Sequence, residues 1–326
     1  DGTTADLSLK WTIDKATLTD TQIIVTPYSG KFDGATHYAT IKSTIAGLTI
    51  VSGTSTSYGQ SVVTSTVANT SYNLLPGQSA AGTYTVYFKV TNANYNDYAK
   101  TTTITIGAES LATPTNLSWA ATSTGAKANA TWGAVSKSGI TVSYQIQLFK
   151  NGTASGSAVT SSTNSYDFTS LIKSAGAGYY TFKVTAISSN ASNCTNSAQS
   201  AESARVYVAN VKISKGKGIN TATIGGGASL VMIAGESANI AVSAKTGFTL
   251  ASTKWSAGTG LTVDNSSSAS TSATISATLA SANEITLTAN DATLNAPTLT
   301  IGTPSKSQLT YGSADNSTIG VTVSHT

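Results

Sequence analysis

Apolar side chains in this chain recur at every second position in short runs, and that alternation constrains the fold more than any other feature. In YQIQLFKNG they are Tyr144, Ile146 and Leu148; in GYYTFKVTAIS they are Tyr180, Phe182, Val184 and Ala186; in GTYTVYFKVT they are Tyr84, Val86 and Phe88. Successive side chains of a β-strand point to opposite faces, so a period of two marks strands buried on one side. Gly, Asn and Ser clusters separate the runs, as tight turns require. Helical spacing is absent apart from a weak hint at residues 79–81. The chain therefore reads as all-β.

Its 326 residues leave room for about two to three domains, each with its own core. Only 10% of residues are charged while 40% are hydrophobic, and Ser and Thr supply roughly a third, far above ordinary usage. Low charge signals disorder only where apolar content is also low. Folded β-domains with neutral, hydroxyl-rich surfaces are the expectation. The net charge of +4 is spread out; Lys212, Lys215 and Lys217 form the one local cluster, read as a solvated loop. Nucleic-acid recognition calls for a concentrated basic face with interleaved aromatics, so no nucleic-acid partner is expected. Cys194 is the sole cysteine, which precludes an intrachain disulfide and fits an exported bacterial protein. It lies in the polar run SSNASNCTNSA, read as a loop. No signal peptide opens the chain and no apolar run is long enough to cross a bilayer. The opening DGTTADLSLKW reads as internal to a longer exported protein, with no membrane insertion in this segment.

Residues 112–208 carry the clearest family signal. Pro114 leads into a first strand, Trp132 sits at the strand-B core position, YQIQLFKNG follows as strand C, GYYTFKVTAIS as strand F and AESARVYV as strand G. The segment resembles a fibronectin type III module, which implies a β-sandwich serving as spacer or binding platform.

On either side the pattern repeats less regularly. Residues 1–14 contain LSLKWTID, with Leu7, Leu9, Trp11 and Ile13 on one face of an expected strand: the last strand of a preceding repeat, or an N-terminal strand. Residues 15–107 run from KATLTDTQ through TPYSGKFDGATH, with a tight turn at Asp33-Gly34, and resemble a tandem bacterial Ig-like repeat. After a GAESL linker and the central module, residues 211–294 hold GKGI, GESANIAVSAKTGFTL and KW. They are similar to divergent repeats of bacterial surface proteins, including the internalin B-repeat type. Gly225-Gly226-Gly227 is an expected turn. Residues 295–326 read as a partial repeat of about three strands, or a tail donating a strand to a neighbouring subunit.

Catalysis needs titratable groups brought together, and few are available. His37 and His325 fall in different repeats, His37 reading as a surface-strand residue after a hairpin turn. No nucleophile elbow, zinc-binding or phosphate-loop motif occurs. Asp6, Asp14, Asp20 and Asp33 lack calcium-loop spacing, although Asp20 and Glu109 near domain junctions are candidates for a calcium clamp. Lys10, Lys89 and Lys183 fall on expected strands, where burial could make an amine nucleophilic for a covalent crosslink. Tyr95 and Tyr98 in NANYNDYAK are the candidate carbohydrate contact. Asn69, Asn116, Asn129, Asn151 and Asn190 stand in Asn-X-Ser/Thr triplets, which such a composition produces by chance.

The sequence thus points to tandem Ig-like and fibronectin III-like sandwiches in an elongated array, with Trp11, Trp119, Trp132 and Trp255 in their cores. No catalytic residue, metal or cofactor is expected. The function implied is a non-enzymatic stalk or adhesin segment of a bacterial cell-surface protein, extracellular, with an unknown cell-wall or host-surface ligand. Two alternatives stand beside it. One is a subunit of an extracellular fibre, surface layer or phage decoration that assembles with itself through terminal strands. The other is a carbohydrate-binding accessory region of a secreted glycosidase.

Overall fold

The computed structural model of the chain describes residues 8–282, 284–305, 311, 314 and 317–324; His325, Asp6 and Leu7 lie outside the described residues. The fold is all-β, built from two-layer sandwiches. Two compact units emerge: one holds the chain up to Thr113 with Val135–Ser143 and Thr185–Ala198, the other Pro114–Ala134, Tyr144–Val184 and everything from Gln199 on.

In the first unit, β1 (Ile23–Thr26), β3 (Thr40–Ser43) and β6 (Ser71–Asn73) form one sheet in the order β1-β3-β6. Facing it are β2 (Tyr28–Lys31), β4 (Leu48–Gly53), β5 (Gln60–Ser65), β7 (Gly82–Asn92) and β8 (Tyr95–Gly107), ordered β2-β8-β7-β4-β5. Ile41, Leu48, Ile50, Leu74, Phe88, Val90 and Ile104 fill the space between them and are fully buried. Between β1 and β2 stands Pro27, which has no N–H to give a ladder, and there the chain leaves one sheet for the other. The Asp33-Gly34 turn consequently joins strands of different sheets and is not a hairpin. Gly34 takes φ +84°, and the Asp33 carboxylate accepts the Ala35 N–H at 2.8 Å. Residues 8–14 form no strand: among the described residues none pairs with their backbone, and an extended segment without a neighbour is not held in a sheet. Residues 79–81 form no helix.

The same unit contains the joint to the central module. The two-residue strands β9 (Glu109–Ser110) and β17 (Cys194–Thr195) pair in parallel, and Asn193 Oδ1 accepts the Ala81 N–H at 2.9 Å. The stretch read as a GAESL linker is thus hydrogen-bonded structure.

The central sandwich sets β10 (Ser118–Ala120), β11 (Asn129–Thr131) and β15 (Ser165–Asp167) against β12 (Val142–Lys150), β13 (Thr153–Ala154), β14 (Val159–Ser161), β16 (Gly178–Ser188) and β18 (Val206–Lys215). A short helix, α1 (Thr169–Ala175), precedes β16 and buries Ile172. Strand G begins only at Val206. Before it, the repeated triplets SAQ, SAE and SAR lay Ser197, Ser200 and Ser203 along β16. Their N–H groups donate to the carbonyls of Ala186, Val184 and Phe182 at 2.8–3.0 Å, and their hydroxyls accept the N–H groups of the same three residues. Three residues of this segment match two of β16, so each hydroxyl replaces the backbone acceptor that a regular ladder would supply.

β18 does not stop where the central module ends. It pairs with β16 through Val206–Val208, then in parallel with β26 (Ile285–Ala289) and antiparallel with β20 (Ser229–Ile233), giving one eight-stranded sheet completed by β23 (Trp255–Ala257). Lys212 and Lys215 therefore lie on a strand, with Lys217 in the turn after it, and Lys212 pairs with Glu284. The opposing sheet is β19 (Ile219–Ile224), β21 (Ser237–Ala244), β25 (Ser270–Ile275) and β24 (Leu261–Val263). Gly225 and Gly226 turn between β19 and β20 at positive φ. β22 (Phe248–Thr249) pairs with β27 (Thr293–Leu294), and β28 (Thr298–Ile301) with β29 (Val321–Ser324).

Candidate functional site

Tyr95 and Tyr98, the candidate carbohydrate contact, are both half-buried on β8. Asn92 opposes Tyr95 and Val90 opposes Tyr98, so three residues of β8 match two of β7. This bulge puts both tyrosines on the face of buried Val90 and Phe88. The Tyr98 hydroxyl donates to Asp20 at 2.7 Å, and Lys100 donates to the same carboxylate at 2.6 Å. Lys100 and then Tyr98 hold the Asp20 carboxyl below its usual range, while burial and then Asp20 push the Tyr98 phenol up. Asp20 is occupied by a lysine in place of a metal, and so is Glu109, whose Oε1 lies 2.8 Å from Lys31.

The other candidates are also spent on structure. His37 is half-buried, stacked on Tyr28 with centroids 4.2 Å apart, and its Nε2 lies 2.9 Å from Asp33. Its backbone bridges to Gln78 in place of an exposed strand. The Ala35 N–H, then the imidazole, hold the Asp33 carboxyl low. Cys194 is completely buried on β17, contrary to the loop expected from its polar neighbours. Lys10 is exposed and on no strand; Lys89 reaches Asp97 at 3.4 Å, and Lys183 lies over the Phe149 ring, 3.8 Å from Glu202. Three triplet asparagines, Asn69, Asn116 and Asn151, take positive φ, the left-handed turn conformation that asparagine tolerates.

The tryptophans divide. Trp132 and Trp255 are buried, the latter donating Nε1–H to Ser268 O at 3.1 Å. Trp11 is 83% exposed, so its assignment to a core fails along with the strand meant to carry it. Trp119 is half-buried: its ring meets Phe182 edge-on at 4.8 Å and its Nε1–H donates to Ala204 O at 2.9 Å.

Trp119 also lines a groove of about 190 Å³ in the second unit, where the central sandwich meets the third module. Lys127 precedes β11 and is fixed by its N–H to Ala234 O at 2.9 Å. Arg205 and Tyr207 come from the entry to β18, and Leu279 from beyond β25. The Arg205 guanidinium sits 4.2 Å above the Tyr179 ring and is hydrogen-bonded by the Tyr207 side chain. No carboxylate lines the groove, and no periodicity announced it, because its residues come from five separate segments. A wider hollow of about 630 Å³ between residues 258–260 and 276–286 offers one titratable side chain, Glu284, already paired with Lys212.

Among the described residues, no group of three or more His, Cys, Asp or Glu side chains could hold a metal ion, and no helix is long and apolar enough to cross a membrane. No protein-family model matches the chain, and no curated protein matches it. Among solved structures, the FN1–FN3 domains of chicken CNTN1 are similar at 12% identity over 84% of this chain and 91% of that one, with a TM-score of 0.26. A chain of a cytokine receptor complex is similar at 14% identity over 57% of this chain and 95% of that one, with a TM-score of 0.25. Likeness at this level carries no statement about partner or activity, and the fold assignment rests on the sheet order itself.

Proposed function

We propose that this chain is a non-enzymatic extracellular structural protein, a stalk or adhesin segment of a bacterial cell-surface protein. The observation that carries the reading is the construction of the joints. A hinge between domains is an exposed linker crossed by few contacts. Here one unit seals its joint with the β9–β17 ladder and the Asn193–Ala81 bond. The other runs β18 unbroken from one sandwich into the next and adds the Lys173–Glu236 ion pair from α1 to the turn before β21. Glu236 is buried and also accepts the Ile233 N–H at 3.0 Å. Joints of this kind transmit tension and hold a fixed angle, which a projecting stalk needs and a catalytic cleft between moving domains does not. Surface biotinylation of intact source cells should label the protein, and brief digestion with a non-specific protease should spare residues 208–211. Labelling only after lysis, or rapid cleavage at that joint, would refute the reading.

A second reading, assembly through terminal strands, is favoured by the β28–β29 hairpin. Leu299 opposes Val323 and Ile301 opposes Val321, so all four share one face, and all four are exposed. A two-stranded ribbon cannot bury its own apolar face. Concentration-dependent sedimentation that disappears in a Leu299→Ser, Val323→Ser double variant supports assembly; a monomer at every concentration removes it.

A further inference from the structure

Two stretches of the chain carry a regular apolar alternation that buries nothing. In residues 8–14, Leu9, Trp11 and Ile13 alternate with Ser8, Lys10 and Thr12, and all three apolar side chains are more than half exposed. The chain is first anchored just beyond, where Ala16 donates its N–H to Asn94 O at 3.0 Å and accepts the Asn96 N–H at 2.9 Å. Among the described residues none pairs with the backbone of residues 8–14, so the segment leaves that anchor with a row of donors and acceptors open.

The β28–β29 hairpin is its complement. Leu299, Ile301, Val321 and Val323 share one face and are each more than half exposed, while Thr300 and Thr322 alternate onto the other. Each strand has one neighbour among the described residues, which leaves an outer edge open on both. Edges are ordinarily blunted by lysine, proline or a bulge; TLTI and VTVS carry none of these, and their register runs unbroken. A third strand must match both faces with a period of two. Leu9, Trp11 and Ile13 extend the apolar face, and Lys10 and Thr12 extend the polar one. Three strands with a hydrophobic face are also the least that is stable in water. A second hairpin laid on the apolar face would leave every edge, and residues 8–14, unused.

We propose that residues 8–14 of one copy of this chain add as a third strand to the β28–β29 hairpin of a second copy, so that copies associate head to tail. This pairing rests on the reading of assembly through terminal strands and names the two surfaces that meet. Donor and acceptor are different surfaces, so the contact is heterologous, and association continues from copy to copy without stopping at a symmetric pair. One added strand makes a small interface, and its dissociation constant falls in the micromolar to millimolar range.

The test is sedimentation of the full chain and two variants across a range of concentrations. The donor variant is Trp11→Ser, Ile13→Ser, at exposed residues outside any strand; the acceptor variant is Leu299→Ser, Val323→Ser. The parent should form dimers and then larger species as concentration rises. Each variant alone should stay monomeric, its association weakened about thirtyfold or more. An equimolar mixture should recover dimers and nothing larger, because it holds one intact donor and one intact acceptor per pair. A parent that stays monomeric overturns the assembly reading and this pairing together. Assembly that persists in the donor variant overturns the pairing alone, since something other than residues 8–14 then covers the hairpin. A mixture that stays monomeric overturns it as well.

Discussion

Replacing Ser200 with alanine removes a hydroxyl that closes two hydrogen bonds in the central sandwich, one accepted from the Val184 N–H at 2.9 Å and one donated to Ala201 O at 2.7 Å. Val184 is fully buried and Ser200 is 5% exposed, so the freed amide has no route to water. A buried donor left without an acceptor costs about 1–3 kcal/mol. Gln199, one position away, makes no such contact with β16, and Gln199→Ala serves as the control, expected within about 0.5 kcal/mol of the parent. Because a chain of several domains does not unfold in one step, the readout should be local. Native-state hydrogen exchange at the Val184 amide should accelerate roughly 5- to 150-fold in Ser200→Ala, the same free energy expressed as a rate. Ser197→Ala and Ser203→Ala should repeat the effect at Ala186 and Phe182, the amides their hydroxyls accept. Unchanged exchange at Val184 would mean that the hydroxyl is not its acceptor, and the idea of serine side chains standing in for a strand would fall.

Trp132→Ala should cost the central sandwich about 3–5 kcal/mol, whereas Trp11→Ala should change its stability by less than about 0.5 kcal/mol; native-state hydrogen exchange at the core amides of that sandwich compares the two variants directly. Tyr180 is buried with its hydroxyl donating to Gly176 O at 2.5 Å, and burial pushes its pKa up to about 12. Its folded value exceeds the unfolded one of about 10, so its contribution is complete below pH 10 and lost as pH rises toward 12. Tyr180→Phe should abolish that alkaline loss, as monitored by thermal unfolding across the range. Changing Tyr95 and Tyr98 together to alanine should lower stability without altering glycan-array binding; loss of binding with the fold intact would restore the sugar platform.

The long strands were legible because β7, β12 and β16 alternate over nine residues or more, and burial on one side left that pattern in the sequence. Joints left none. β9 and β17 are two residues each, too short for any period, so the polar neighbours of Cys194 carry no sign of the strand that buries it. LSLKWTID shows the converse: its alternation is as regular as that of β7, yet a strand also needs a neighbour for its backbone, and among the described residues none pairs with Trp11, which is exposed. The Ser-Ala-x triplets repeat with period three, which belongs to neither helix nor strand, and their role emerged only opposite β16. α1 offers a single fully buried side chain, Ile172, too little for a helical stripe. The groove's residues are scattered from Trp119 to Leu279, and such convergence has no local signal.

Pulling the chain from both ends in a single-molecule force experiment tests the role of β18 most directly. If one strand truly serves the central and third sandwiches, the two should release their length in a single unfolding event, and a Val211→Pro substitution, which breaks the shared strand, should split it in two. Separate release of the two sandwiches in the unmodified chain would contradict the account, because the joint would then be a linker and the chain a set of independent beads.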